Sequence, residues 1–509
     1  VRVGFGNPLD ERAITAFVEE DTAESLLLYA SPREQGLYAA ELQSLPGERV
    51  LDIGVMDLSS TVLGALQQVS ESRRGQDKIL PLLLGKIRPQ VDESLYREAL
   101  KRGAAAGLNW SQCEALAQGF STDLCALVQG PPGTGKTRVL AELAGMFVKA
   151  GKRVLVTSLT HRAIDNALVA IARRWGSTVP CAKFGGSAPQ HPNVHSFPDW
   201  KSCPWKRFND GLIAGATPFA SAGARLEGAE FDVVLIDEAS QLTVPNACMG
   251  LIRADRWVLF GDHRQLPPVM RTLSGPELTR ASIFGWLAGR GYSTMLTETW
   301  RLGPVLAEWP SRMFYGGALE PSMVFAHETL MLPHAPQRFK DVLDPAHPRI
   351  FCQVSHVGSR RRSEPEAVVV SEIVMELLRC GIAPKDIAVI TPFRAQANAI
   401  RTALQNADTD RIPYRELVVD TVERMQGQER EVVLVSLTAS DPSWLARLAE
   451  FYFQPERLNV AITRAKRKLI LVGSPLILDT FPNDPRLRDS VDLLRSLLSE
   501  SKLVVIDDD

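Results

Sequence analysis

The run QGPPGTGKT, from Gln129 to Thr137, constrains this chain more than any other feature of its 509 residues. It lies between an apolar stretch, Leu124-Cys125-Ala126-Leu127-Val128, and a helical pattern built on Val139-Leu140, Leu143-Ala144 and Phe147-Val148. A strand, a glycine-rich turn and a helix start in that order make a phosphate-binding loop. Gly130, Gly133 and Gly135 reach backbone angles that residues with a Cβ avoid, so their N–H groups turn inward around a phosphate. The following helix adds the positive end of its dipole. Lys136 offers a point charge to the β and γ phosphates, and the Thr137 hydroxyl is placed to ligate magnesium. Pro131, Pro132 and Thr134 complete the loop. A chance match in a glycine-rich turn is the plain alternative, and the flanking pattern argues against it. The expected ligand is a nucleoside triphosphate with Mg2+.

Composition sets the class. With 45% hydrophobic and 23% charged residues, the chain reads as an ordinary globular protein of about three domains. Its apolar runs fall short of a membrane span, and neither a secretory signal nor a membrane partner is expected. The expected location is cytoplasmic, or nuclear in a eukaryote, and not secreted. The chain begins with Val rather than Met, so other domains or subunits beyond it are allowed for. Cys113, Cys125, Cys181, Cys203, Cys248, Cys352 and Cys380 are dispersed without a CxxC pair, which favours free thiols over disulfides or zinc. A formal net charge of −2 means that any grip on nucleic-acid backbone is a local groove, not a whole-protein field.

From about 126 to 472, strand-like runs alternate with helical patterns. The runs are Val154–Thr157, Asp232–Ile236, Trp257–Phe260, Ile387–Thr391, Glu416–Asp420, Val432–Ser436 and Leu469–Val472. This predicts an α/β fold with parallel sheets. Residues 91–107 read as a helix, and about 311–349 as irregular. Before about residue 90, Ala13–Val18, Ser25–Tyr29 and Arg49–Ile53 read as short strands of a small β-rich accessory domain.

A hundred residues beyond the loop, FDVVLIDEASQL is a buried strand that delivers Asp237 and Glu238 at its C-terminal end, where α/β ligand sites lie. Asp237 would hold magnesium, and Glu238 would polarise an attacking water as general base. In VLFGDHRQLPPV, Gln265 follows another strand and is placed to sense a γ-phosphate.

GPPGTGKT, DEASQ and GDHRQLPP in this order resemble the superfamily 1 helicases. The resemblance is to the 5′-to-3′ subgroup (superfamily 1B) that includes the nonsense-mediated RNA decay helicase and the replication helicase–nuclease. It extends over about residues 105–475 through LNWSQCEAL, VLVTSLTHRAIDNAL, LTETWRLGPVL, ITPFRAQ, VDTVERMQGQEREVVLVS and ERLNVAITRAKRKLILVG. What it implies is two tandem RecA-like P-loop domains, 91–296 with a short insertion at about 176–210, and 297–509, behind an accessory domain at 1–90. The family carries a larger insertion in the first lobe, and no nuclease motif is visible here.

The resemblance also assigns roles. Gln112 would read adenine and Trp300 would stack on it, a Trp where the family usually has Tyr; a core aromatic is the plain alternative. Arg301 and Arg464 would act as arginine fingers. Glu429, beside Gly427 in QGQE, would take a ribose hydroxyl. Thr157, Ser158, His161, Arg162, Thr217, Thr391, Arg394 and Thr421 would hold phosphates of a single strand, although each alone reads equally as a polar group at a strand end. For Arg360-Arg361-Arg362 a solvated loop is the favoured reading. The implied activity is an ATP-dependent translocase or helicase on single-stranded nucleic acid, with DNA slightly favoured over RNA. The rivals are an ATP-dependent clamp that does not unwind and a non-catalytic scaffold subunit.

Overall fold

The computed structural model describes residues 58–506 except 187–188, 208–210, 270–275, 326–327 and 408–415. Before them it describes the backbone of the strands Arg2–Phe5, Ile14–Asp21, Leu26–Ala30 and Arg49–Asp52. These four form one antiparallel sheet, and residues 1–60 make up a unit of their own. The second unit begins at Thr61, not near residue 90. The reason lies in apolar side chains: Val69, Ile79, Leu82 and Leu83 are buried in the same core as the strand that leads into the phosphate loop.

Among the described residues the second unit holds two large parallel sheets, as the alternation of strands and helices predicts, and a short parallel pair, Glu298–Thr299 with Glu320–Pro321. The first has eight strands in the order Ser293–Met295, Cys125–Gln129, Arg256–Gly261, Val233–Ile236, Val154–Thr157, Ile213–Gly215, Cys181–Phe184 and Val194–Phe197. The segment read as an insertion therefore contributes the last two strands of the sheet. The second has six, in the order Val418–Thr421, Ile387–Thr391, Arg430–Ser436, Ala465–Gly473, Arg349–Val354 and Lys502–Ile506. Helix Glu93–Ala105 stands where 91–107 is read as helical.

The central strands of both large sheets are buried on two faces, with successive side chains along a strand pointing to opposite sides. Cys125 and Leu127 enter one core, while Ala126 and Val128 enter the other. Val433 and Val435 part from Val432 and Leu434 in the same way. Trp257 is fully buried in the first sheet and donates its indole N–H to the Leu251 carbonyl at 2.9 Å. Trp257→Ala is expected to cost about 3–5 kcal/mol of stability, read as a lower urea midpoint at unchanged slope.

All seven cysteines are buried thiols. No helix among the described residues is long and apolar enough to cross a membrane.

Candidate nucleotide cleft and nucleic-acid face

Register sets the floor of the cleft. Gln129 ends level with Gly261, and Ile236 level with Thr157 but opposite Leu259, two residues short of Gly261, so four adjacent parallel strands end in two steps along one edge. The loop is tied to this edge by Gly130 N–H donating to Gly261 at 2.9 Å, and Asp237 N–H donates to Thr157 at 2.9 Å. Helix Lys136–Lys149 then starts at Gly135, whose φ is +82°. The Lys136 ammonium donates to the Gly130 carbonyl.

Across from the loop stands the second lobe. A cleft of about 380 Å³ is lined from the first lobe by the loop residues Pro131 to Thr137, Asp237, Glu238 and Gln265. Arg301, Gly427 and Arg464 line it from the other side. The six residues expected to carry the chemistry thus meet in one place.

Each is held. Glu238 sits at φ 52°, the left-handed region that side chains with a Cβ avoid. Its carboxylate accepts from Gln241 Nε2 at 3.2 Å, and its N–H donates to Asp237 Oδ1 at 2.9 Å. Burial and the neighbouring Glu238 push the Asp237 carboxyl up to about 7, against the opposing pull of Lys136. A divalent cation there would offset that cost. One carboxylate and one hydroxyl, Asp237 and Thr137, suit Mg2+, which takes its other ligands from phosphates and water.

Arg301 donates from Nε to Glu429 at 2.7 Å and from Nη1 to the Thr463 carbonyl at 3.2 Å. Arg464 is almost wholly buried; it donates to Gln265 Oε1 at 3.4 Å and to the Val460 and Gln428 carbonyls at 3.0 and 3.2 Å. Burial and the nearby Arg301 pull its guanidinium down to about 9, with Glu238 acting the other way.

Gly133 has φ +75°, and a Cβ there would lie 2.4 Å from Arg301 Cβ and 2.7 Å from Thr299 Oγ1. Gly133→Ala is expected to misplace the loop against Arg301 and lower kcat/KM for ATP by about 10²-fold, read by steady-state hydrolysis.

Other expected residues stand differently. Gln112 is buried, and its amide is engaged on both sides: Nε2 donates to the Thr134 carbonyl at 3.0 Å, and Oε1 accepts from Asn109 N–H at 3.2 Å. It braces the loop from behind. Glu429 pairs with Arg301 and, at 3.0 Å, with Lys466. Burial works to raise its carboxyl, but those two cations outweigh it and hold it low. Trp300 donates its backbone N–H to Gly133 at 2.8 Å, and its half-exposed ring meets Phe325 edge-on at 6.4 Å.

Among the nucleic-acid candidates, Arg162 lines the nucleotide cleft instead, since it stands in the first turn of a helix that points there. Thr157 and Ser158 are buried together with their hydroxyl oxygens, and the buried Thr391 donates its hydroxyl to the Phe393 carbonyl at 2.9 Å. His161 and Thr217 share a separate cavity of about 400 Å³, and the Thr217 hydroxyl also accepts from Ala220 N–H at 3.3 Å. Thr391 and Thr421 are register partners at the end of the second sheet, and Arg394 opens the helix that follows Thr391.

One network was not foreseen. Asp262, buried, accepts from Gln265 Nε2 at 2.7 Å and from the Tyr315 hydroxyl at 2.8 Å. Asn459 Nδ2 donates to that hydroxyl at 2.8 Å and to the Arg264 carbonyl at 2.7 Å. The γ-phosphate-sensing loop is thereby tied to helix Pro455–Ile462, which ends two residues before Arg464. An acidic residue directly after an apolar strand, as in FGDH, is the one signal that pointed to Asp262.

The chain is similar to known proteins over most of its length. Family profiles described as AAA domain match residues 107–210, 209–272 and 279–476. The DNA replication ATP-dependent helicase/nuclease DNA2 of Mus musculus is 30% identical over 465 residues, covering 83% of this chain and 43% of that protein. Its Xenopus laevis counterpart is 28% identical over 460 residues, with 82% and 43% covered. The chain spans less than half the length of these relatives. Among solved structures, an Arterivirus nonstructural protein 10 (helicase) aligns with a TM-score of 0.40 at 15% identity, covering 96% of this chain and 74% of that one. The two AAA-domain profiles, which run in the same order as the motifs, and the DNA2 relatives show that the chain belongs to superfamily 1B of the helicases.

Proposed function

We propose that this chain is an ATP-driven motor that moves 5′ to 3′ on single-stranded nucleic acid, with DNA as the favoured strand, and unwinds duplex ahead of it. The observation that carries this reading is the cleft in which Lys136, Asp237 and Glu238 face Arg301 and Arg464 from a second lobe. A lone nucleotide-binding domain has no need of the second set. The names of the relatives, DNA replication helicase/nucleases, favour DNA.

The mechanism follows from the groups in place. The loop N–H groups and Lys136 bind the phosphates, and Lys136 leaves the Gly130 carbonyl to do so. Magnesium, held by Thr137 and Asp237, would neutralise charge on the β and γ phosphates. Glu238 orients a water and takes its proton as the water oxygen attacks the γ-phosphorus and the bond to the bridging oxygen breaks. Arg301 and Arg464 stabilise charge on the transferring group and draw the lobes together. Gln265 touches Arg464 and, through Asp262, Tyr315 and Asn459, the helix behind it, so loss of the γ-phosphate is felt in the second lobe. Alternating closure and release then step the strand.

Duplex DNA carrying a 5′ or a 3′ single-stranded tail tests the reading. Strand displacement from the 5′-tailed substrate, dependent on ATP, is the expected result. ATP hydrolysis without displacement from either substrate would make the chain a clamp.

A further inference from the structure

A second cavity, of about 430 Å³, opens on the second lobe and is lined by Arg361, Phe393, Arg394, Ala395, Leu448 and Phe451. We propose that it is a nucleotide pocket for the translocated strand, in which one base packs on Phe451 and Phe393 while Arg361 holds the adjoining phosphate. The inference rests on the reading of the chain as a single-strand motor and adds to it Arg361 and Phe451, which no motif supplied, beside Phe393 and Arg394 of the ITPFRAQ run.

The aromatic floor is a packed cluster. Phe393 and Phe451 stack with centroids 5.9 Å apart and planes inclined by 27°. Behind them, Trp444 and Tyr452 lie 5.7 and 6.1 Å from Phe393. The Arg457 guanidinium covers Phe451 at 4.1 Å and is itself paired with Glu423. Half-buried aromatic rings at a cavity wall are what base stacking uses, and stacking tolerates any sequence.

Charge points to the same ligand. Arg360 pairs with Asp441 at 2.9 Å, and Arg362 pairs with Glu364. Arg361 between them is exposed, lines the cavity and forms no ion pair among the described residues. Among the described residues no carboxylate lines the cavity, and the Arg361 guanidinium does. A phosphate next to an aromatic base complements that set.

The walls are also fixed to each other. Ser363, just after the arginine run, donates its N–H to Gln396 Oε1 at 2.7 Å, and Gln396 Nε2 returns a bond to the Ser363 carbonyl at 3.1 Å. This joins the loop of Arg361 to the helix of Arg394. On the other side, Ser359 N–H donates to Ser440 Oγ at 3.0 Å. The cavity opens beyond Thr391, at the C-terminal end of a parallel strand, where open α/β sheets bind ligands.

Fluorescence anisotropy decides the matter, with labelled oligo-dT and an abasic strand of the same length. The wild-type chain is expected to bind oligo-dT about ten-fold more tightly than the abasic strand. Phe451→Leu is expected to cut that preference to about two-fold. Arg361→Gln is expected to weaken both strands and to lower the salt slope by about one. Should Phe451→Leu fail to fold by circular dichroism, the Arg361→Gln slope decides alone. Tight binding by wild type with an unchanged base preference in Phe451→Leu, or an unchanged slope in Arg361→Gln, overturns the pocket and leaves the motor standing. Failure of the wild type to bind either strand overturns both.

Discussion

Glu238→Gln is expected to lower ATP turnover by about 10²–10⁴-fold while ATP binding persists. The amide keeps the shape of the carboxylate and can still accept from Gln241, but it takes no proton from water. The strained backbone at Glu238, φ 52°, is best explained by this duty, because a solvated acidic turn has no reason to hold a non-glycine residue there. Phosphate contacts come from the loop and from Lys136, so they remain. Equilibrium binding of a fluorescent ATP analogue alongside steady-state hydrolysis separates the two effects. A variant that hydrolyses ATP within a few-fold of wild type removes Glu238 from the role of base.

Arg464→Ala is expected to cost about 10³-fold or more in turnover, the range for loss of an arginine finger. Arg464 is buried at the lobe junction, and burial has already pulled its guanidinium down to about 9, so a phosphate brought close satisfies a costly buried cation. Its three anchors, Gln265, Gln428 and Val460, aim it across the cleft. Removing it leaves those acceptors unpaired, so the melting temperature must be read in parallel. Arg464→Lys keeps a charge but not the planar fork, and most of the loss is expected to remain. Full turnover in the lysine variant would mean that Arg464 works by charge alone.

The cleft was legible in the sequence because its parts sit at strand ends, where short apolar runs announce them. The phosphate loop, Asp237 and Glu238 each follow such a run, and the structure brings them together with Gln265, Arg301 and Arg464. What escaped depends on long-range contacts. Tyr315 reaches Asp262 over 53 residues, and Asn459 reaches Tyr315 over 144. Gln112 and Glu429 stand beside the site as expected, but packing commits Gln112 to the loop and Glu429 to Arg301. Thr157 and Ser158 sit at the end of a central strand that is buried on both faces, so their type suggested phosphate contact where their place puts them in the interior. The strands Cys181–Phe184 and Val194–Phe197 lie among prolines and span only four residues each, too short for a period to register. Arg349–Val354 was hidden at the end of a stretch rich in proline, glycine and histidine.

The central claim is that hydrolysis in this cleft is coupled to a strand. Steady-state ATPase activity, measured with and without single-stranded DNA and with Lys136→Ala as the background, tests it most directly. The account predicts that the strand raises turnover well above the basal rate and that Lys136→Ala abolishes both rates. Hydrolysis that proceeds equally fast with and without DNA or RNA strands would contradict it.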